Sequence, residues 1–553
     1  VNARHGGESD DTGAFYVQTK TVKRSASVLF LLGVVVVLYR KVTRLWWTYD
    51  DPWNLHVSLV RRWTDAFTEA DIWPQHFFTP LLIATYETLL RFAGLDPDHW
   101  YRIQLAILGA CAVAVFFALR LYVPTLPASA GALVFIAGPP LCAMATQLMI
   151  VHYLEAILLG TLATIAYVLA FRRRSIGLEG LSALLYFGAM LAKVIAAPLP
   201  LLLLFLPETT FRVRARHLVL HTLALAAYLV WRYQVIGTIF GGYGWAISPS
   251  EIPALVALLP WKIVLAFAGA GVGVGLIGVA LLAIGAGHAI RTRQALLFGG
   301  LTLLVAIAPI VPVSKEMQVW YALFPWLWLC AVFAIGLARM GPASRGVLIA
   351  AAAVAVIVAN RQEWTREYAS ALRMSHEARA YMTLDSTSLL RRPAIPPSSM
   401  PELRWLKEEH FGAARGAGWF YDDLYLCSSA TTGKRIYEYL PARREVAEVT
   451  QRIPDLARAY CSSIRDTAPL RVEFHHRGDT LRWRFAPYRD GRWSVVVAGG
   501  MMAYDVRGED GFRLTGVPGL ALRVRYESPE GWITYSPEIA LDFAAQPDLV
   551  WHR

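Results

Sequence analysis

The sequence predicts a polytopic α-helical membrane protein that carries a soluble domain in its C-terminal third. Three observations predict this. Of 553 residues, 56% are hydrophobic and only 17% are charged, against about 25% charged in an average soluble domain, and the mean hydropathy is +0.41. Nearly all long apolar runs lie before Asn360. Beyond it, Leu470–Phe474, Leu481–Phe485 and Leu522–Tyr526 alternate polar and apolar residues, the period of strands with one buried face. The composition excludes a soluble enzyme, a disordered chain and a disulfide-rich secreted module. A net charge of +12 suggests nucleic acid in a soluble protein. In a membrane protein it first suggests cytoplasmic loops that hold topology, and no nucleic-acid partner is expected.

A helix needs about 20 mostly apolar residues to cross a bilayer, which gives about eleven spans. They lie near 25–39, 101–121, 127–150, 153–171, 177–193, 195–207, 217–237, 260–288, 293–312, 319–338 and 346–360. Residues 1–24 form a cytoplasmic tail: Lys20–Arg24 precede an apolar run with no small-residue cleavage site, so the first span is retained. Basic clusters at Arg172–Arg174, Arg212/Arg214/Arg216, Arg291/Arg293 and Arg339/Arg345 all fall in loops that the count makes cytoplasmic. This puts the loop 40–100 and everything after Asn360 on the outer face. That outer loop nevertheless carries Arg40, Lys41, Arg44, Arg61, Arg62 and Arg91. They read either as amphipathic helices with snorkelling arginines or as a site that receives phosphate.

Residues 361–400 read as a helix and a Pro-rich linker, and 401–553 as an outer domain, α/β up to about 465 and then a β-sandwich. Of five cysteines, Cys111, Cys142 and Cys330 fall in spans. Cys427 and Cys461 fall in the outer domain, where they form either a disulfide or two buried thiols.

The chemistry concentrates at the outer ends of the spans. Asp50 and Asp51 stand together in Trp46–Trp–Thr–Tyr–Asp–Asp–Pro–Trp–Asn–Leu–His56. Like-charge proximity at a membrane surface raises one carboxyl pKa, which suits a general base, or the pair holds a metal. Alternatively Asp51 caps a helix that opens with Pro52. His152 and Glu155 share a helical face, and intramembrane ionisable groups suggest function. Lys193, and Lys315 with Tyr321, offer contacts to an anion or a sugar. A divalent metal could be held by Asp50 with His56, His76, His152 or Glu155. The glycines of Ala270–Gly278 read as a helix-packing surface, and Gly241–Trp245 as a flap or a flexible connection.

These segments together resemble the GT-C superfamily of integral-membrane glycosyltransferases, which includes protein O-mannosyltransferases and aminoarabinose transferases. The resemblance covers roughly residues 25–370. Its carriers are Tyr49–Asp–Asp–Pro–Trp–Asn54, His76–Phe–Phe–Thr–Pro80, Gly94–Leu–Asp–Pro97, Trp100–Tyr–Arg102–Ile–Gln104, His152–Glu155, Leu191–Ala–Lys193 with Pro198, Lys315–Tyr321 and Arg361–Gln–Glu–Trp364. It implies a GT-C-like fold and an inverting enzyme of the bacterial inner membrane, with its site and C-terminal domain extracytoplasmic. Its donor is a sugar on an undecaprenyl- or decaprenyl-type phosphate, and its acceptor a lipid, glycan or protein. It assigns Asp50 as base, Asp51 as its partner, His152 or Glu155 as the second-loop polar residue, and Lys193, Arg102 and Lys315 as phosphate ligands. A secondary transporter or flippase, or a glycan polymerase, is the competing class. A transporter predicts internal repeats and mid-membrane charges, whereas here there is no repeat and the charges sit at span ends.

Overall fold

The computed structural model describes residues 11–73, 77–208, 210–239, 252–291, 293–412, 415–477, 480–513, 520–541 and 547–553. The N-terminal region is helical: α1 (Asp11–Tyr39), α2 (Asp51–Val60), α3 (Pro80–Ala93), α4 (Pro97–Arg120), α5 (Thr125–Ala137), α6 (Pro140–Thr146), α7 (Val151–Arg173), α8 (Ile176–Ala192), α9 (Leu199–Leu203), α10 (Phe211–His217), α11 (Val219–Ile236), α12 (Ile252–Ala268), α13 (Val272–Ala289), α14 (Arg293–Ile307), α15 (Leu323–Ala338) and α16 (Pro342–Thr383). Among the described residues, seven helices are long and apolar enough to cross a membrane, or eight if the bent pair α5 and α6 counts as one. Four shorter apolar helices accompany them.

The difference from about eleven uniform spans has local causes. Gly138 and Pro139 separate α5 from α6, which opens with Pro140, and the pair is bent by 60°. The run 195–207 carries Pro198 and Pro200 and yields only the short α9. The run 260–288 is two helices, because Gly269 takes φ +68° and ends α12. The chain then doubles back so tightly that a Cβ on Gly275 would lie 2.1 Å from the Ala268 carbonyl oxygen. The glycines of this stretch do serve close packing, since Gly278 lies against Ala355 and Val356 of α16.

Chain direction sorts the two ends of the bundle. α4, α7 and α15 finish, and α16 begins, at one end, which gathers Arg120, Arg172, Arg173, Arg339 and Arg345. Contacts tie this end together: Arg172 donates to the Leu121 carbonyl and Arg339 to that of Ala289. The opposite end holds the segment after α1 and the polar half of α16, which runs on beyond the apolar part to Thr383. There the Trp46 N–H donates to Ser375 Oγ (2.8 Å), Arg379 to the Arg44 carbonyl (3.0 Å) and the Tyr368 hydroxyl to the Lys41 carbonyl (3.3 Å).

The C-terminal domain begins earlier than residue 401. β1 (Ser388–Arg391), inside the expected linker, is fully buried and pairs in parallel with β2 (Gly418–Phe420) and β3 (Arg435–Leu440). β4 (Glu445–Glu448) completes a sheet ordered β2-β1-β3-β4, accompanied by α17 (Met400–His410) and α18 (Ile453–Ser463). β5 (Arg471–Arg477), β6 (Thr480–Ala486), β9 (Glu509–Arg513) and β13 (Asp548–His552) form one antiparallel sheet. β7 (Arg492–Val497), β8 (Met502–Val506), β10 (Leu520–Glu527), β11 (Ile533–Tyr535) and β12 (Ile539–Leu541) form the other. Val472, Phe474 and Trp483 of the first share a core with Trp493, Val524 and Tyr526 of the second, which makes the pair a sandwich, as the period-two pattern predicts. Cys427 and Cys461 are joined in a disulfide, with Cα atoms 6.1 Å apart. The α/β part and the sandwich are locked by buried Asp422, whose carboxylate accepts from the hydroxyls of Tyr535 (2.6 Å) and Tyr460 (3.1 Å) and from Arg525 (3.2 Å).

α13 crosses α15 closely, since a Cβ on Gly336 would meet the Gly285 carbonyl oxygen at 1.8 Å. Gly336→Ala therefore forces the backbones apart and is expected to destabilise by about 1–3 kcal/mol. Thermal unfolding in detergent checks this, with Gly300→Ala, inside α14 and with no neighbour within 4 Å, as a control that does not lower the midpoint.

Candidate functional site

The site is built on the segment between α1 and α2. Trp46, Trp47 and Thr48 are buried, and Trp47 packs edge-on against Trp100 of α4 (4.9 Å between ring centroids), which in turn meets Tyr86 of α3 (4.9 Å). This aromatic wedge fixes the chain before it turns at Tyr49. Tyr49 has φ +49°, an uncommon conformation for a non-glycine residue, of a kind that concentrates at functional sites.

The turn delivers the two carboxylates to different environments. Asp51 is fully buried and opens α2 itself; its Oδ2 accepts the Thr48 N–H (2.9 Å) and its Oδ1 the Tyr86 hydroxyl (2.8 Å). Asp51 is thus not the N-cap: Asp50 takes that position and makes no capping bond, while the Asp51 carboxylate folds back onto the preceding turn. Burial pushes the Asp51 pKa up to about 7, against the lowering effect of its two hydrogen bonds. Asp50 stays open to solvent although protein surrounds it on most sides, and this partial loss of water raises its pKa while a 3.3 Å hydrogen bond from Ser399 Oγ lowers it. One carboxylate is held and the other is presented.

α3 connects this pair to the membrane part. Tyr86 holds Asp51, and its neighbour Thr85 donates to Glu155 Oε1 of α7 at 2.5 Å. One turn before Glu155, His152 is buried, and the next residue, Tyr153, lies under Lys193. Lys193 ends α8 with its ammonium 4.8 Å from the Tyr153 ring and 5.0 Å from that of Phe77, in cation–π geometry.

Lys193 opens onto a cavity of about 710 Å³, whose walls are largely aliphatic and aromatic. Its polar lining comprises Thr79, Tyr153, Lys193, Arg232 and Tyr321. Arg232 is 3% exposed and donates to the Tyr228 hydroxyl (3.3 Å). Sequence reasoning missed this residue, although an arginine inside the apolar run Val219–Ile236 is itself the signal that finds it. The arrangement can hold an amphiphilic anion, its charge between Lys193 and Arg232 and its apolar part along the wall.

Other expected residues lie elsewhere. Arg102 is exposed and pairs with Asp98 one turn away on α4, outside the cavity lining. The Lys315 side chain, His76 and Gly241–Trp245 lie outside the described residues. His56 Nδ1 is 2.7 Å from Glu402 Oε2, and Glu155 Oε1 accepts from Thr85. Among the described residues no three His, Cys, Asp or Glu side chains assemble to hold a metal, so Asp50, His56, His152 and Glu155 do not fit a divalent site. Two of the five arginines of the 40–100 loop find local carboxylates: Arg61 pairs with Glu69 and Asp71, and Arg91 with Glu87.

The raised Asp51 pKa makes stability pH-dependent. In the unfolded chain Asp51 titrates near about 3.9, so between there and about 7 the folded protein keeps a proton that the unfolded chain has released. The contribution of Asp51 is complete below the lower value and is lost as pH rises through the upper one. Asp51→Asn, neutral throughout, is therefore expected to gain stability relative to the parent between pH 5 and pH 8. Melting curves at both pH values check it, and a constant difference would refute it.

No family model matches this chain, and no curated protein matches it. The chemistry of the site rests on its own residues.

Proposed function

We propose that this chain is an inverting glycosyltransferase of the GT-C type, moving a sugar from a polyprenyl phosphate to an acceptor on the outer face of the membrane. The observation that carries the reading is the apolar cavity with two cations, Lys193 and Arg232, joined through α3 to a presented and a buried carboxylate. A polyprenyl phosphate is long, apolar and singly headed, and it needs both an apolar wall and cations at one level. The Cys427–Cys461 disulfide supports an oxidising compartment for the C-terminal domain. The arginine-rich opposite end supports the same sidedness.

In the proposed reaction the Asp50 carboxylate takes the proton of an acceptor hydroxyl as that oxygen attacks the anomeric carbon from the face opposite the phosphate. The anomeric C–O bond breaks and its electron pair leaves on the polyprenyl phosphate, whose charge Lys193 and Arg232 stabilise in a water-poor cavity. A base needs a pKa close to the working pH, and the raised pKa of Asp50 moves it in that direction. Asp51 positions the turn that presents Asp50. Tyr321 and Tyr153 border the same cavity and suit the sugar or the phosphate.

Mass spectrometry of envelope glycans and glycolipids from a deletion strain names donor and acceptor together, since one sugar is expected to disappear. With the purified enzyme and that pair, Asp50→Asn is expected to lower kcat by about 10²–10⁴-fold without loss of polyprenyl-phosphate binding. Lys193→Ala or Arg232→Ala is expected to weaken that binding about ten- to a hundredfold, as for a lost charged hydrogen bond. Full activity of Asp50→Asn would remove it as the base. Unchanged glycans together with blocked lipid movement would favour a flippase.

A further inference from the structure

Two short helices form a seam that starts at Asp50. α2 carries Asp50 at its N-cap position, then Trp53 and His56 at intervals of three; α17 carries Ser399 at its own N-cap, then Glu402 and Trp405 at the same interval. Residues three apart are neighbours on a helix surface, so each set forms a stripe. The stripes meet step by step. Ser399 Oγ donates to Asp50 Oδ1 at 3.3 Å, Glu402 Oε2 lies 2.7 Å from His56 Nδ1, and the Trp405 ring lies 4.1 Å from the His56 ring. Trp53 lies parallel to His56, with 9° between their planes and 6.5 Å between centroids, and His410 extends the series 5.0 Å from Trp405. Trp53, His56 and Trp405 each keep part of their surface open to solvent, and His410 is exposed.

We infer that this seam is the acceptor subsite and that its ligand is a carbohydrate. The inference rests on the proposed function, because that reading makes Asp50 the group that an acceptor hydroxyl must reach. A sugar ring presents a C–H face and a rim of hydroxyls. Partly open indole rings suit the face, while Glu402, His56 and His410 offer hydrogen-bonding groups to the rim. An acyl chain would bury the Glu402–His56 pair against hydrocarbon and return no hydrogen bond to either. The register also suits delivery. The Ser399–Asp50 hydrogen bond, at 3.3 Å, is longer than the usual 2.5–3.0 Å or so for a hydroxyl donor, so an acceptor hydroxyl arriving along the stripe displaces it at little cost.

The full chain in nanodiscs, applied to a broad microarray of bacterial envelope oligosaccharides and to a peptide array, tests this. Wild type is expected to bind at least one oligosaccharide class and no peptide. Trp405→Ala and Trp53→Ala are each expected to weaken that binding about tenfold, the scale of one lost aromatic contact, and Trp405→Phe to retain most of it. Absence of carbohydrate binding, a preference for peptides, or full affinity in both alanine variants overturns the inference. Should Trp405→Ala melt early, His410→Ala at the open end becomes the deciding variant, and unchanged affinity there overturns the seam. Binding of undecaprenyl phosphate to the same nanodiscs separates the two proposals. Its absence strikes the proposed function, whereas lipid binding without sugar binding strikes the seam alone.

Discussion

A buried carboxylate must find donors, and the outer end of this bundle is arranged around the donors that Asp51 finds. Full burial raises its pKa, and two hydrogen bonds, from the Thr48 N–H and the Tyr86 hydroxyl, offset part of that penalty. The first of these closes the turn that ends at Asp51, with Tyr49 in a left-handed conformation. The second sets where α3 stands. Because Thr85 follows the same helix to Glu155, α3 fixes the position of α7 against α2. Removing either donor leaves a buried oxygen without a partner, at a cost of about 1–3 kcal/mol, and loosens the placement of Asp50 with it.

The same turn explains why adjacent carboxylates play different parts. Like charges on neighbouring residues disfavour double ionisation, and here the environments separate them: one carboxyl is enclosed, the other open to solvent. Asp51 gives up accessibility and supplies rigidity, while Asp50 keeps accessibility and only a long hydrogen bond to Ser399. A pair that reads as a repeated chemical group in the sequence is an enclosed support and a solvent-facing carboxylate in the fold.

How much of this was legible in the sequence depended on how local the signal was. Period-two alternation gave the sandwich, because strand pairing buries alternate residues whatever the topology, and the Asp50–Asp51 pair stood out beside its tryptophans. The Cys427–Cys461 bond stood as one of two alternatives, since spacing carries no Cα distance. Helix count suffered where Gly269 and the prolines at 139, 140, 198 and 200 break apolar runs that hydropathy averages together. Arg102 resembled a phosphate ligand until Asp98, four residues earlier, proved to satisfy it. Arg232 was hidden for the opposite reason: its meaning comes from Lys193, 39 residues away in sequence, with which it lines one cavity. Tertiary proximity of two cations is not written in the spacing around either one.

The C-terminal domain packs directly beside Asp50, through Ser399 and α17, and the polar half of α16 brings it there. That helix runs 42 residues without a break, so the apolar part and the part that holds Trp46 through Ser375 move as one rod. It ends directly before β1, which enters the α/β sheet as a central strand. The irregular segment that joins β1 to α17 is tied back to α16, where Glu377 Oε2 accepts the Ala394 N–H and Arg373 donates to the Arg392 carbonyl, and α17 packs on α2. On the proposed function this solves a problem of two solvents. The donor tail is soluble only in the bilayer and a glycan acceptor only in water, so the base must stand where an element fixed in each phase meets the other. Asp50 follows that requirement: its neighbour Asp51 is held by Tyr86 of α3 and Asp50 itself by Ser399 at the start of α17.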